Sequence, residues 1–226
     1  MTGKKIIKYT VFIVLFCAII FYGSKFAISS WTPDKITYPV QGIAISEING
    51  TPNWPEVATQ NVDFAYISAS WGSDHKDKSF DYNLKGVKSS GIRYGVVHHF
   101  DLCHLASDQA TMFITTVPRD EHALPPAIFL DFDEKCSSRP DRSLLLSEIS
   151  TFLGQVETHL DRSALLYISK DFENEYQISQ SVNRDLWVDS FWFLPNYTPK
   201  SWTLWTANAY AEVDGIDEPV KWTLLK

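Results

Sequence analysis

The sequence lacks the motifs by which proteins hold structural zinc or nucleotides. Its 226 residues include three cysteines, and neither Cys103 nor Cys136 has a second cysteine at CxxC spacing, which argues against a zinc site. No Gly-rich phosphate loop follows the first apolar run, which argues against a nucleotide-binding open sheet. There is also no low-complexity tract and no repeat of fixed period. We therefore expect one folded domain with no metal and no cofactor.

Basic residues are scarce beyond the N-terminal segment. The chain carries 20 basic and 27 acidic residues, for a net charge of −7. Four of the lysines lie beside the first apolar run: Lys4, Lys5, Lys8 and Lys25. The rest of the chain has 16 basic residues and a net charge of about −11. Because nucleic-acid binding depends on neutralising phosphates, no nucleic acid is expected as a partner.

Apolar and aromatic residues are abundant. Hydrophobic residues make up 45% of the chain and aromatic residues 14%, with eight tryptophans. This composition argues against disorder and is typical of proteins whose surface grooves are lined with rings.

An uncharged apolar segment runs from residue 9 to residue 24 and is closed by Lys25. The lysines that precede it direct the rest of the chain out of the cytoplasm by the positive-inside bias. We predict a cytoplasmic stub and transmembrane anchor over residues 1–30, a linker over 31–37 and a folded domain over 38–226. The protein would be a single-pass protein of the inner membrane with this domain in the periplasm.

A cleaved signal peptide is the alternative for the same segment. Ala27 and Ser29 form a weak small-x-small cleavage site, and the domain would then be exported. Trp31 and Tyr38 favour the uncleaved anchor, because Trp and Tyr gather at membrane interfaces. The expected membrane contact is therefore made through the N-terminal helix.

Cys103 and Cys136 are predicted to form a disulfide. Cys17 lies in the apolar segment, so these two remain as a pair in an exported domain. They follow the apolar runs "GVVHHFDLC" and "AIFLDFDEKC", so the bridge would tie two neighbouring strand ends together. Closing a loop of about 30 residues stabilises a domain by roughly 3 to 4 kcal/mol.

Apolar runs recur at spacings too wide for hairpins: "VQGIAI", "VDFAYISA", "IRYGVVHHF", "PAIFLDF", "SALLYIS" and "RDLWVDSF". Between them, "SFDYNLKGVKSSG" and "DRSLLLSEISTFLGQVETHL" carry apolar residues at helical period, the second with Asp141 or Ser143 as N-cap. This alternation predicts a mostly parallel sheet covered by helices. The final stretch, "SWTLWTANAYAEVDGIDEPVKWTLL", predicts strands joined by a Gly turn.

An open doubly wound sheet and a barrel both fit this alternation. In a barrel, functional side chains lie at the C-terminal ends of the strands. Within "FLDFDEKC", Asp131 and Asp133 are two residues apart, and on a continued strand they would share one face. The complete set of strand-end candidates is Glu47, Trp71, His98, His99, Asp101, Asp131, Asp133 and Asp189.

A series of motifs resembles glycoside hydrolase family 25, the Chalaropsis-type lysozymes. "GIAISEING", "FAYISASWG" and "GIRYGVVHHF" are similar to the family's GIDVSxxxG, FAxIKATEG and GxxxGAYHF, and "LDFD" is similar to its DxE. The segments "LLYIS", "LWV", "WTLW" and "VDGIDEPV" follow in the family's order, so the resemblance covers Tyr38 to about Trp222. It implies an irregular β/α barrel, preceded here by one transmembrane helix.

The resemblance also implies a substrate and a catalytic pair. The substrate would be peptidoglycan glycan, cleaved at the β-1,4 bond between N-acetylmuramic acid and N-acetylglucosamine. Glycoside hydrolysis needs one carboxylic acid to protonate the leaving oxygen and a second group to support the oxocarbenium-like centre. By the resemblance these are Asp133, at the position of the acid, and Asp131.

Several acids of the family's pattern are replaced. Ala44 stands where the family has its first Asp, Lys221 stands at a C-terminal acid position, and Trp71 replaces the acid of KATEG. Asp133 in place of Glu shortens the acid by about one methylene, and a misplacement of about 1 Å can cost a hundredfold in rate. A nearby lysine would also hold an acid ionised. We expect hydrolysis to be weak or lost.

The function therefore stays open between alternatives that share one fold. A non-catalytic relative would bind peptidoglycan, or would protect against or regulate a muramidase through a protein partner in the periplasm. A structural envelope protein that uses the barrel only as a scaffold is a third alternative.

Beyond the acid pair, six side chains are predicted to line a sugar groove: Trp71, His98, Asp101, Trp187, Asp189 and Trp205. A core position is the alternative for the tryptophans, and a solvated acid or helix cap is the alternative for Asp101 and Asp189. Glu134 would point away from Asp133 if the strand continues through it. His98, His99, Asp101 and His104 cluster in sequence, but adjacent strand residues face opposite ways, so no zinc site is expected.

Overall fold

The structure is a computed structural model that describes the backbone of residues 3–226 and the side chains of residues 9–226. The lysine side chains that carry the positive-inside argument, Lys4, Lys5 and Lys8, lie outside the described side chains.

Nine strands and seven α-helices make up the described chain. The strands are β1 (Gln41–Ile45), β2 (Phe64–Trp71), β3 (His75–Lys76), β4 (Arg93–Phe100), β5 (Ala127–Leu130), β6 (Leu165–Ile168), β7 (Leu186–Asp189), β8 (Leu204–Ala211) and β9 (Val220–Leu225). The helices are α1 (Gly3–Ser30), α2 (Trp54–Val57), α3 (Phe80–Ser90), α4 (Ala106–Thr116), α5 (Arg142–Leu160), α6 (Lys170–Tyr176) and α7 (Ile178–Ser181). A short 3₁₀ helix, Glu47–Asn49, follows β1.

Eight of the strands close into a barrel. The order is β1-β2-β4-β5-β6-β7-β8-β9, and β9 pairs with both β8 and β1 to complete the ring. β9 is antiparallel to both neighbours while the other pairings around the ring are parallel, and β3 is a short hairpin partner of β2. The irregular β/α barrel predicted by the resemblance is confirmed, as is the terminal strand pair with its turn at Gly215.

A ladder of aromatic rings fills the barrel interior. Ring centroids are 4.8 Å apart for Tyr66 and Trp187, 4.0 Å for Trp187 and Tyr167, and 4.2 Å for Tyr167 and Phe129. Tyr66 has room because Gly95 has no side chain; a Cβ there would lie 2.3 Å from the tyrosine ring. The rings therefore fill the barrel as a packed core, and Phe129 lies one residue before the carboxyl end of β5.

The two long predicted helices are confirmed, and local chemistry explains their ends. α3 stops at Gly91, which has φ 75°, a conformation that glycine adopts without steric cost. α5 begins after Asp141, whose side chain accepts a hydrogen bond from the backbone N–H of Leu144 at 2.9 Å. Asp141 rather than Ser143 is therefore the cap.

Among the described residues, one helix is long and apolar enough to cross a membrane: within α1, Tyr9–Ser30 has a mean hydropathy of 2.3. A signal sequence has the same character. The helix ends directly on the barrel, because the side-chain amide of Asn208 donates to the carbonyls of Ile28 and Trp31 at 2.8 and 2.9 Å.

The two aromatic residues predicted to lie at a membrane interface contact the barrel. Trp31 is half-buried against the core. Tyr38 packs on Trp202 and Trp205, with ring centroids 6.2 and 5.8 Å away. Both residues therefore cover apolar surface of the barrel, and their interfacial role stays a prediction.

Candidate active site

A groove of about 820 Å³ lies at the carboxyl end of the barrel. The loops after β1, β2, β4 and β5 form it, as expected for a barrel in which the strand-end loops carry the site. Its lining combines acids, histidines and rings: Glu47, Asp74, Asp101, Asp131, Asp133, Glu134, His75, His99, His104, Trp71, Phe129 and Phe132 are among the contributors. Such a lining suits a polar ligand with flat apolar faces, as a sugar has.

The predicted acid pair lies in this groove, on a loop. β5 ends at Leu130, so strand alternation does not govern Asp131 and Asp133. Each carboxylate accepts a backbone N–H of its own loop, from Phe132 at 2.9 Å and from Lys135 at 2.8 Å respectively. The same loop brings the neighbouring Glu134 to the groove, and the condition for its pointing away from Asp133, a continued strand, is not met.

Ala44 and Lys221 are direct neighbours across the β1–β9 pair. The Lys221 ammonium donates to the Tyr167 hydroxyl at 2.7 Å and lies 3.4 Å from the Asp189 carboxylate. It also lies 4.7 Å from the centroid of the Phe129 ring. Where the resemblance places two carboxylates, this chain has a methyl group and a cation.

Asp189 is bound in the same cluster. The Tyr167 hydroxyl donates to its second oxygen at 2.6 Å, and its backbone N–H donates to the Tyr197 hydroxyl at 3.0 Å. Burial and the neighbouring Asp189 charge raise the pKa of Tyr167 well above its usual range, so the phenol stays protonated. Asp189, Tyr167 and Lys221 thus form a satisfied triad next to the Phe129 ring that lines the groove, and Asp189 is committed to this triad rather than to the groove lining.

His99 and Trp71 form one wall of the groove. Their rings stack at 3.6 Å between centroids and 19° between planes, and Phe129 meets the imidazole edge-on at 5.3 Å. Burial, and secondarily the Lys221 charge, hold the pKa of His99 well below its usual range. The imidazole is neutral at pH 7, and its buried Nδ1 has no hydrogen-bond partner.

Glu47 supplies an ionised carboxylate at the groove edge. It accepts the backbone N–H of Lys78 at 2.9 Å and lies 3.4 Å from the His75 ring. The Lys78 hydrogen bond lowers the pKa of Glu47, whereas burial raises the pKa of the adjacent Asp77. Asp77 in turn accepts the Glu47 N–H at 2.8 Å and fixes the turn after β1.

Three predicted groove residues are buried elsewhere. His98 faces away from the barrel interior, with its ring nitrogens 2.9 Å from the Ser70 hydroxyl and 3.2 Å from the Gln109 amide oxygen. Trp187 is fully buried inside the barrel, and Trp205 is 3% exposed and donates to the Ser190 carbonyl at 2.7 Å. Their strand positions place them in the core, so the groove prediction is wrong for all three.

The predicted disulfide between Cys103 and Cys136 is present, with 5.8 Å between Cα atoms. It ties the loops after β4 and β5, both of which line the groove. Asp101 lies beside it and holds His104 at 2.7 Å. In the described part of the chain Asp101 and the two sulfurs are close enough to share a metal ion, but sulfurs bonded to each other offer no thiolate.

The acid pair beyond β5, the ring-lined groove and the closed barrel define the glycoside hydrolase class of protein. The sequence profile of "Glycosyl hydrolases family 25" matches residues 43–218. The chain belongs to this family.

Individual relatives agree with that assignment. "Lysozyme M1" of Streptomyces globisporus is 27% identical over 200 residues, covering 81% of this chain and 67% of the relative. "Uncharacterized protein YegX" of Escherichia coli (strain K12) is 25% identical over 206 residues, covering 88% and 74%. A family 25 glycosyl hydrolase structure from Bacillus anthracis superposes with a TM-score of 0.80 at 26% identity, covering 87% of this chain and 92% of the other.

Sequence reasoning missed Phe129 and Tyr167 as parts of the site. Both occupy the inward positions of short apolar strands, and they are registered opposite each other in β5 and β6. Side chains alternate between the two faces of a strand, so residues two apart share a face. Once one inward-facing residue of "AIFL" and of "LLYI" is known, this alternation identifies Phe129 and Tyr167 as inward-facing.

Proposed function

We propose that this protein binds peptidoglycan glycan in the groove and hydrolyses the bond between N-acetylmuramic acid and N-acetylglucosamine at a much reduced rate. The observation that carries the proposal is the groove itself, open at the carboxyl end of a family 25 barrel and lined by Asp131 and Asp133. The printed name of the Streptomyces relative, a lysozyme, supports the substrate class. We further propose that α1 anchors the barrel in the inner membrane, facing the periplasm.

In this proposal Asp133 donates a proton to the leaving glycosidic oxygen and Asp131 supports the positive charge that develops at the sugar ring. Glu47 is a further groove carboxylate, and the hydrogen bond from the Lys78 N–H lowers its pKa. Trp71 offers a ring face against which a sugar can stack. The slow rate follows from the shorter acid and from the missing carboxylates at Ala44 and Lys221, each worth on the order of a hundredfold or more.

A non-catalytic role is the second candidate, and the triad of Lys221, Tyr167 and Asp189 favours it. The Lys221 cation, 4.7 Å from the ring of the groove residue Phe129, opposes the developing positive charge of an oxocarbenium-like transition state. It does not oppose binding of a neutral glycan. In the non-catalytic role, the protein would bind glycan or contact a muramidase, and would thereby protect peptidoglycan from that enzyme or regulate its cleavage.

Digestion of purified peptidoglycan by the full chain in detergent tests the proposal, with mass analysis of released muropeptides. Asp133→Asn and Asp131→Asn keep the side-chain shape and remove the carboxylate. Products with reducing muramic acid ends that both variants fail to release support hydrolysis. Co-sedimentation with glycan in the absence of products supports the non-catalytic role. If the protein neither binds glycan nor releases products, glycan is refuted as the ligand.

A further inference from the structure

Helix α1 joins the barrel at the same end as the groove. Six of the ring's eight strand pairings are parallel, and β8 runs in the common direction, so its C-terminal end lies at the groove end. The end of α1 is bound there, because Asn208 donates to Ile28 and Trp31, and the Glu212 backbone N–H donates to the Ser29 carbonyl at 3.1 Å. The end of the apolar helix is therefore in direct contact with this end of the barrel.

Large apolar side chains are exposed at that end. Phe193 is 75% exposed and Leu194 62%, both on the loop that follows β7, and Tyr210 near the end of β8 is 51% exposed. Together with Trp192, which is 39% exposed, they form a surface that we name the apolar rim. Ile48 and Leu105, on other loops of the same end, are also exposed.

The apolar rim is a built feature of the same strand that holds α1. The Trp192 ring stacks on Tyr210 with 9° between planes, and its backbone N–H donates to the Ala207 carbonyl at 2.8 Å. Trp192 has φ 63°, a left-handed conformation that is uncommon for a bulky residue. Phe193 and Leu194 follow this turn directly and are both exposed.

We infer that the apolar rim inserts into the interfacial region of the lipid bilayer that α1 crosses, so that the groove end of the barrel faces the membrane. The inference rests on the proposed anchoring by α1. Tyr9–Ser30 spans about 33 Å as a helix, enough to cross a hydrocarbon core of about 30 Å and end at its surface. Trp and Tyr suit the headgroup level, and Phe and Leu suit the acyl boundary below it.

Charge favours a zwitterionic surface over an anionic one. The turn between β8 and β9, next to the end of α1, exposes Glu212, Asp214, Asp217 and Glu218. These carboxylates are repelled by anionic headgroups, so the contact depends on apolar burial and changes little with salt. Phosphatidylcholine is therefore the appropriate lipid for a test.

An environment-sensitive fluorophore on single cysteines of the full chain, reconstituted in phosphatidylcholine vesicles, tests this orientation. Native Cys17, exposed near the middle of α1, reports on the anchor. In a Cys17→Ser background, Phe193→Cys and Leu194→Cys report on the apolar rim. Ile36→Cys is the matched control, since Ile36 is 93% exposed and its neighbour Lys35 contacts Asn61 at the opposite end of the barrel.

Lipids that carry a quenching doxyl group near the headgroup should quench the fluorescence of the probes at 193 and 194 at least about twofold more than that of the probe at 36. The emission of the probes at 193 and 194 should also be blue-shifted. Quenchers deep in the acyl chain should act on the Cys17 probe. If the probes at 193, 194 and 36 are quenched equally weakly while the Cys17 probe is quenched, the proposed orientation is overturned. The proposed membrane anchor is unaffected by that result. An unquenched Cys17 probe overturns the anchor and, with it, the orientation.

Discussion

At the scale of single residues, the proposed slow hydrolysis depends on the acids that are replaced in this chain. Asp133→Glu lengthens the proposed acid but leaves Ala44 and Lys221 unchanged, so we expect it to restore little of the hydrolysis. Adding Ala44→Asp and Lys221→Asp to it should raise turnover on the order of a hundredfold above the single variant, because the two positions are direct neighbours on paired strands and Lys221 lies beside the groove residue Phe129. Release of reducing muropeptides measures the difference.

The matched control for that combination carries amides. Asp133→Glu with Ala44→Asn and Lys221→Asn has the same side-chain sizes without the added negative charge. If the amide form is as active as the carboxylate form, the gain comes from removing the lysine and its triad, not from electrostatic support. Strong activity from Asp133→Glu alone would contradict the weight given to the other two positions.

The buried histidines make stability depend on pH. Burial holds the pKa of His98 at about 3 and that of His99 well below its usual range, while both return to about 6.5 on unfolding. The unfolded chain therefore binds more protons as the pH falls. The free energy of unfolding should decrease below about pH 6.5, by up to about 1.4 kcal/mol per pH unit for each histidine.

His99→Phe isolates one of these contributions. The variant keeps a ring against Trp71 and removes both the titrating group and the unpaired Nδ1. We expect a shallower loss of stability in acid and no loss at neutral pH, measured by chemical denaturation of the full chain in detergent. A variant with the same acid slope as the parent would show that His99 is protonated in the folded state.

At the scale of the elements, the barrel interior tolerates no added volume beneath Tyr66. Gly95→Ala on β4 places a Cβ 2.3 Å from that ring, which packs on Trp187 and cannot move freely. We expect a loss of about 1 to 3 kcal/mol in the free energy of unfolding. Gly154→Ala on α5 is the control: no atom lies within 4 Å of its Cβ, so it should be neutral or stabilising. Equal effects of the two variants would contradict this account.

Elements could be predicted from sequence more fully than the directions of their side chains. Periodicity and caps gave α3, α5 and the terminal strand pair, because each depends on local chemistry. The inward or outward direction of His98, Trp187 and Trp205 depends on which face of each strand closes the barrel, and that is set by pairing between distant segments. The triad of Asp189, Tyr167 and Lys221 joins three strands, so no single stretch of sequence reveals it.

For the whole molecule, the end of an apolar helix is in direct contact with the groove end of the barrel. Residues 31–37, the predicted linker, lie between α1 and β1. The hydrogen bonds from Asn208 to the carbonyls of Ile28 and Trp31 hold the end of α1 against the barrel. The position of the groove relative to its substrate then depends on whether α1 stays attached to the barrel.

Retention of α1 is therefore the prediction that matters most for the whole molecule. We expect the protein in cell membranes to resist extraction at alkaline pH and to have the mass of the 226-residue chain. Leu15→Arg with Ile19→Arg should release it, since each central arginine costs about 2.5 to 3.5 kcal/mol on insertion, whereas Leu15→Ala with Ile19→Ala should not. A soluble product that begins near Ser29 would identify α1 as a cleaved signal sequence. The hydrogen bond from Asn208 to Ile28 would then be absent, and the barrel would not be attached to the membrane.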